Sequence, residues 1–199
     1  MIKLQHLPVE GMDMAKITSP YGMRKHPFTE ITKLHDGIDY GEPTGTPIYA
    51  VADGKVEVSK MQGNGLGWGN YIIIKHDGFW TLCAHLHTRK VYAGGNVKTG
   101  QLIGTVGSTG YSTGPHLHFS VYIDIWAKPR KSVDPEPLLA EIGKNMEVEK
   151  LRIMIAGKVK IVNAVNVEGN NYVKLRDLTD VIDVGYDVAR KLPIVNSKS

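Results

Sequence analysis

Apolar residues in this chain come in short runs cut by glycine, proline and Asp-Gly turns, the pattern of a strand-and-turn protein rather than a helical one. Ile48–Val58, Asn70–His76, Phe79–Leu86, Leu102–Val106 and Leu117–Ile123 read as strands, and His76-Asp77-Gly78 reads as a hairpin turn between two of them. This β-rich stretch runs from about Met14 to Leu139. Pro129, Pro135 and Pro137 mark its exit, followed by a helix-compatible segment, Glu136–Lys144, and a linker at 145–150. Beyond the linker, Leu151–Ile155, Val159–Val165, Tyr172–Lys174 and Leu192–Val195 read as strands. A helix is expected over Leu175–Ile182, with Leu175, Leu178 and Ile182 on one face. The predicted fold class is mainly β: an antiparallel sheet or sandwich over residues 1–144, then a small α+β domain at 151–199. A domain that small is marginal on its own.

The same alternation singles out polar residues that share a face. His35 and Asp39 in HDGID are four apart and lie on one side in helix or strand, while Gly37 and Gly41 favour extended or irregular backbone. His116 and His118 in GPHLHF are two apart on a strand whose other face, Leu117, Phe119 and Val121, is core. In TLCAHLH, Leu82, Ala84 and Leu86 take one face, so Thr81, Cys83 and His85 are expected on the other, away from that core. Four imidazoles and a carboxylate suit zinc, which binds both donor types tetrahedrally and keeps one position open in catalytic sites. Two neutral imidazoles with one carboxylate leave such a site net positive, which acidifies water there to a pKa of about 7. Two histidines are then left over to act as general base and oxyanion stabiliser. An isolated HxH is more often incidental than metal-binding. Three His-bearing motifs in order, each on a glycine-bounded strand, are far more specific.

Composition narrows the chemistry. One cysteine, Cys83, excludes an intrachain disulfide and a cysteine-cluster metal site, and reads as a small packing residue although it would share a face with His85. The net charge of +4 suggests an anionic partner. No Lys/Arg run exceeds two residues and no recognition-helix pattern is present, so nucleic acid is not the expected one. The N-terminal MIKLQHLPVEGMDMAKITSP lacks the apolar core of a signal peptide, and no run approaches a membrane span; cytoplasmic synthesis without a signal is expected. GSTGYSTG lacks the Gly-Lys-Ser/Thr ending of a phosphate loop and reads as a flexible rim beside His116. Arg24 in YGMRKHP is expected to fix backbone or substrate, and His26, His76 and His87 to be surface or turn residues.

The series ITSPYGMRKHPFT, LHDGIDYG, GTPIYAVADGKVEV, GWGNYIIIKHDG, TLCAHLH and VKTGQLIGTVGSTGYSTGPHLHFSVY resembles the lysostaphin-type zinc endopeptidases over about Ile17 to Pro137. The resemblance implies that His35, Asp39 and His118 hold zinc and that His85 and His116 form the catalytic pair. It implies a mostly antiparallel β-fold with a long groove, and hydrolysis of the peptide cross-links of bacterial peptidoglycan. D-Ala-diaminopimelate and oligoglycine bonds both remain open. Two departures stand out: the family's usual YAHL is CAHL here, and its frequent HLHFE is HLHFS. The second places Ser120 on the face of His116 and His118, where it can orient a ligand. VEGNNYVKLRDLTDVIDVGYDVARKLPIV resembles the stalk-type (copper amine oxidase N-terminal-like) repeats found beside wall-associated enzymes, which implies wall attachment or a spacer. Anionic wall polymers then join peptidoglycan as expected partners. The whole is similar to a phage endolysin that reaches the wall at lysis. Two rivals are a non-catalytic scaffold or regulator of this fold, against which all five retained positions argue, and an exported host wall-remodelling enzyme seen without its signal.

Overall fold

A computed structural model describes residues 2–25, 31–62, 67–145, 148–155, 158–167, 170–173, 182–187 and 192–197, with side chains as far as Ile142. The chain divides into two compact units, Met1–Ile142 and Gly143–Ser199. In the first, the strands are β1 (Ile17–Ser19), β2 (Gly22–Lys25), β3 (Thr32–His35), β4 (Ile38–Gly41), β5 (Pro47–Tyr49), β6 (Gly54–Met61) and β7 (Asn70–Lys75). They continue with β8 (Trp80–Ala84), β9 (Thr88–Arg89), β10 (Asn96–Val97), β11 (Leu102–Thr105), β12 (His116–Asp124) and β13 (Lys131–Val133), and helix α1 (Pro135–Asn145) follows. The main sheet runs β1-β4-β12-β8-β7-β6-β10, with β13 also paired to β12. A second sheet runs β5-β11-β9, and β2 with β3 forms a separate ribbon. Every one of these pairings is antiparallel, as the mainly β reading expects.

Alternation explains the core. Leu117, Phe119 and Val121 of β12 are fully buried in one cluster with Ile38, Ile72, Ile74, Ile48 and Ile103. Each such side chain contributes roughly 1.5–3 kcal/mol by leaving water. The opposite face of the same strands carries a second cluster of Tyr71, Ile73, Leu82, Ala84, Tyr122 and Ile125. The central strands are therefore covered on both sides, and Thr81 to Leu86 are buried throughout. Cys83 belongs to the first cluster, opposite Phe119. Burial pushes its thiol up to about 12, so it is an inert packing residue.

Two expectations change. The single strand read over Ile48–Val58 is two, β5 and β6, in different sheets. The chain bends at Asp53, whose carboxylate accepts hydrogen bonds from Thr99 N (2.8 Å) and Lys98 Nζ (2.7 Å). His76, expected at a surface or turn, does precede the Asp77-Gly78 turn but is buried at 5% exposure. Its Nδ1 donates to the Asp53 carbonyl (2.9 Å), its Nε2 meets the Thr81 hydroxyl (2.8 Å), and its ring stacks on Phe79. Burial lowers its pKa, so the ring is a neutral clamp on the bend. His87 is exposed, as expected, and His26 lies outside the described residues.

The second unit holds a three-stranded antiparallel sheet of β14 (Val148–Ile155), β15 (Lys158–Val167) and β16 (Asn170–Val173), and a hairpin of β17 (Ile182–Asp187) with β18 (Leu192–Ser197). β14 begins inside the segment read as a linker. The expected helix over Leu175–Ile182 lies outside the described residues except for Ile182, which opens β17. Among the described residues no helix is long and apolar enough to cross a membrane.

Candidate metal centre

Register places the first two groups. β12 lies antiparallel to β4 with His118 opposite Asp39 and Phe119 opposite Ile38. Facing residues share a side, so His118 and Asp39 turn together away from the main core. His35 ends β3, and the chain reaches β4 through Gly37. A Cβ at Gly37 would stand 2.3 Å from Ser120 Oγ and 2.4 Å from the Phe119 carbonyl, so only glycine lets this segment lie against β12. That close approach carries His35 onto its partners. His35 Nε2 lies 3.1 Å from both Asp39 Oδ1 and His118 Nδ1, and His118 Nδ1 lies 2.8 Å from Asp39 Oδ1.

Backbone carbonyls decide which nitrogens face inward. A carbonyl only accepts, so Nδ1 of His35 donates to Pro20 O (2.8 Å), Nδ1 of His85 to Thr109 O (2.8 Å) and Nδ1 of His116 to Gly114 O (2.8 Å). Each ring when neutral then keeps a bare Nε2. His118 is reversed: Nδ1 faces Asp39, and Nε2 meets the hydroxyl of fully buried Ser120 at 2.9 Å. Ser120 thus orients a histidine, the role its strand face suggested.

Nε2 of His35, Nδ1 of His118 and an oxygen of Asp39 form a group whose ligating atoms all lie within 4.8 Å of one another. Neutral imidazole nitrogen and carboxylate oxygen are both acceptors and gain nothing from facing each other. A cation shared by all three satisfies them, so the donor set fits a metal ion. Burial opposes charge on Asp39, but the adjacent His118 and His35 rings hold its carboxyl far below the usual range. Burial likewise opposes charge on His118, yet Asp36 and Asp39 raise it to about 9. Carboxylates that hold a proton this firmly also favour a metal there.

His85 reaches the site by an unexpected route. Strict alternation would put it with Cys83 in the main core. It is instead a non-glycine residue in the left-handed region, with φ of 61°, just after β8 ends at Ala84. The reversal turns its ring to within 4.7 Å of the His116 ring and 6.0 Å of the His118 ring, centroid to centroid. Burial depresses its pKa to about 4, which keeps it neutral near pH 7. His116 Nε2 lies 3.7 Å from Asp39 Oδ1. All five groups line one groove of about 390 Å³ with Arg24 and Trp68, and Tyr111 and Thr113 of the glycine-rich loop stand on its rim.

Two outer partners complete the geometry. Arg24 donates from NH2 to Asp39 Oδ2 (3.2 Å), so it grips the carboxylate behind the oxygen that faces the histidines. Asp36 was not singled out by the sequence reading. Its Oδ2 accepts from the Tyr122 hydroxyl (2.7 Å) and its Oδ1 lies 3.7 Å from His118 Nε2. A signal for it lay in HDGID itself: a carboxylate beside a ligand-type histidine and next to a glycine.

Over residues 33–135 the chain matches the profile of peptidase family M23. It belongs to that family. This M23 chain is 46% identical over 140 residues to the DD-carboxypeptidase/endopeptidase Mpg of Neisseria meningitidis serogroup B, covering 68% of itself and 31% of that protein. It is 40% identical over 139 residues to the peptidoglycan DD-endopeptidase ShyC of Vibrio cholerae, again covering 68% and 31%. It therefore spans less than a third of these curated relatives' length. Its fold matches the catalytic domain of the antimicrobial peptidase lysostaphin from Staphylococcus simulans, with a TM-score of 0.56, 35% identity, and 63% of this chain and 92% of that one covered. A zinc-containing peptidase from Vibrio cholerae matches at a TM-score of 0.55 and 37% identity, over 67% of this chain and 39% of that one. The M23 fold thus bears out the mainly β, antiparallel reading.

For this M23 site the outer carboxylate has a measurable consequence. Asp36→Asn keeps an acceptor for Tyr122 and removes the charge facing His118. Metal affinity, measured by competition with a chromophoric chelator, is expected to fall about 10–100-fold, the usual cost of losing such a partner. Unchanged affinity would show that Ser120 alone orients the ring.

Proposed function

We propose that the chain is a zinc-dependent endopeptidase that hydrolyses peptide cross-links of bacterial peptidoglycan. The observation that carries this reading is the convergence of three metal-type donors and two further histidines in one open groove. The peptidoglycan activity in the name of ShyC and the zinc in the description of the Vibrio cholerae peptidase support it. His35, Asp39 and His118 would hold the zinc, which when bound would supply Lewis acidity and a more acidic water. His85, neutral and clamped by Thr109, presents Nε2 to take a proton. His116, clamped by Gly114 and close to Asp39, stands beside it, and the pair divides proton transfer and stabilisation of the developing oxyanion. Arg24 keeps Asp39 turned inward while they do so.

The test is mass spectrometry of fragments released from walls of defined chemistry. New amino and carboxyl termini within the cross-link are expected, abolished by a chelator and restored by zinc. Release of sugar-reducing ends alone, or activity indifferent to chelation, would overturn the reading. Residues 151–199 are proposed to attach the enzyme to the wall, supported by Lys158, Lys160, Lys174, Arg176, Arg190 and Lys191. In the same preparation, pelleting with walls should weaken as salt rises; salt-independent pelleting speaks against it. The setting we assign is phage-mediated lysis. Lysis genes beside the coding sequence would support that, and wall-synthesis genes would place the enzyme in host remodelling.

A further inference from the structure

The chain has three tryptophans, and all of them lie on the face of the sheet away from the main core. Trp68 and Trp126 line a concavity of about 310 Å³ together with Tyr71, Lys60, Ile125 and Arg130. Trp68 also lines the catalytic groove, so this residue forms a wall shared by the two. Its carbonyl accepts the His85 backbone N–H at 2.9 Å, which puts this wall one residue's reach from the proposed catalytic pair. The platform is fixed from below. Glu57 Oε2 accepts from Nε1 of Trp80 (3.1 Å) and of Trp126 (3.0 Å), and the Arg130 guanidinium lies 4.8 Å from the Trp68 ring centre. Yet Trp126 is 58% exposed. Met61, on the same concavity, is exposed as well, so the apolar surface is a contiguous patch rather than one stray side chain, and a patch held in place beside a groove points to a ligand.

We infer that this tryptophan-lined concavity binds the glycan strand from which the scissile peptide hangs. The inference rests on the proposed peptidoglycan activity. β7, which carries Tyr71 in the floor of the concavity, and β8 beside it are each paired on both sides, so that floor offers no free backbone edge for a peptide to extend. Recognition falls to side chains. An amino-sugar ring has an apolar C–H face, which an indole accepts, and a rim of hydroxyl and N-acetyl groups, to which Lys60 and Arg130 can donate. The connection has to pass from one hollow to the other, and the two share Trp68. A stem peptide of about four residues spans roughly 14 Å when extended, so a sugar can rest beyond Trp68 while its own cross-link lies in the groove.

The experiment compares two substrates in the full chain: cross-linked stems still borne on glycan, and the same cross-linked peptides freed of sugar. Trp126→Ala is expected to lower kcat/KM about tenfold on the glycan-borne substrate and to leave the free peptide unchanged within about twofold. Trp126→Phe, which keeps a stacking face, should retain most of the activity. Loss on both substrates together, or on neither, overturns the inference. Should wild-type protein cleave neither substrate, the proposed activity fails, and the glycan site is judged separately by titrating intrinsic fluorescence with peptide-free glycan chains. Quenching that Trp126→Ala abolishes supports the site, and no quenching overturns it. Self-association that Trp126→Ala abolishes, with no effect of glycan, would mean that the face docks a second copy and would also overturn it.

Discussion

His118→Ala is expected to leave the protein with almost no bound zinc. His118 supplies Nδ1 at 2.8 Å from Asp39 Oδ1 and 3.1 Å from His35 Nε2, so its removal takes away one of the three candidate donors. Outer partners alone are worth 10–100-fold in affinity; loss of an inner ligand should cost at least about a hundredfold. Metal analysis after gel filtration should find about one zinc per wild-type chain and a small fraction of that in the variant. A second readout does not depend on catalysis. Zinc at a hundredfold excess over its Kd should stabilise the wild type by about 2.7 kcal/mol, and the same concentration should leave the melting temperature of the variant unmoved. Full occupancy in a folded His118→Ala protein would sink the ligand assignment.

Replacing either proposed catalytic histidine should instead separate chemistry from metal binding. His85→Ala and His116→Ala are each expected to lower kcat by about two orders of magnitude or more, the range seen for general acid–base and oxyanion groups, while zinc content stays near one per chain. KM should change little, because neither ring is proposed to hold substrate in its ground state. His85 needs a control, since alanine at φ of 61° adds backbone strain of its own. His85→Gly fits that conformation, and it should show the same loss of rate with less loss of stability. Zinc loss in either variant would mean that the inner and outer groups have been confused.

Much of this architecture was legible in the chain because period-two alternation is a local property. Leu117, Phe119 and Val121 announced a buried face, and that placed His116 and His118 on the other side without knowledge of any partner strand. HDGID announced that His35 and Asp39 belong together, and its glycine is required by the contact with Ser120. Alternation failed where the backbone left the strand. At His85 a left-handed φ reverses the side chain, and at Asp53 a side-chain-capped bend splits one apolar run between two sheets.

Residue types and their spacing by themselves determined the strands β7, β8, β11 and β12, the main core face and the five candidate groups. Only the tertiary structure decided which nitrogen of each imidazole faces the centre. That choice is made by the carbonyls of Pro20, Thr109 and Gly114 and by the Ser120 hydroxyl. Tertiary structure likewise enlisted Asp36 and Arg24 as outer partners and joined the tryptophan face to the groove through Trp68. Every residue carries a backbone carbonyl, so no side-chain pattern marks the one that will accept a distant histidine's proton. Packing that brings residue 20 to residue 35, and 109 to 85, makes that selection.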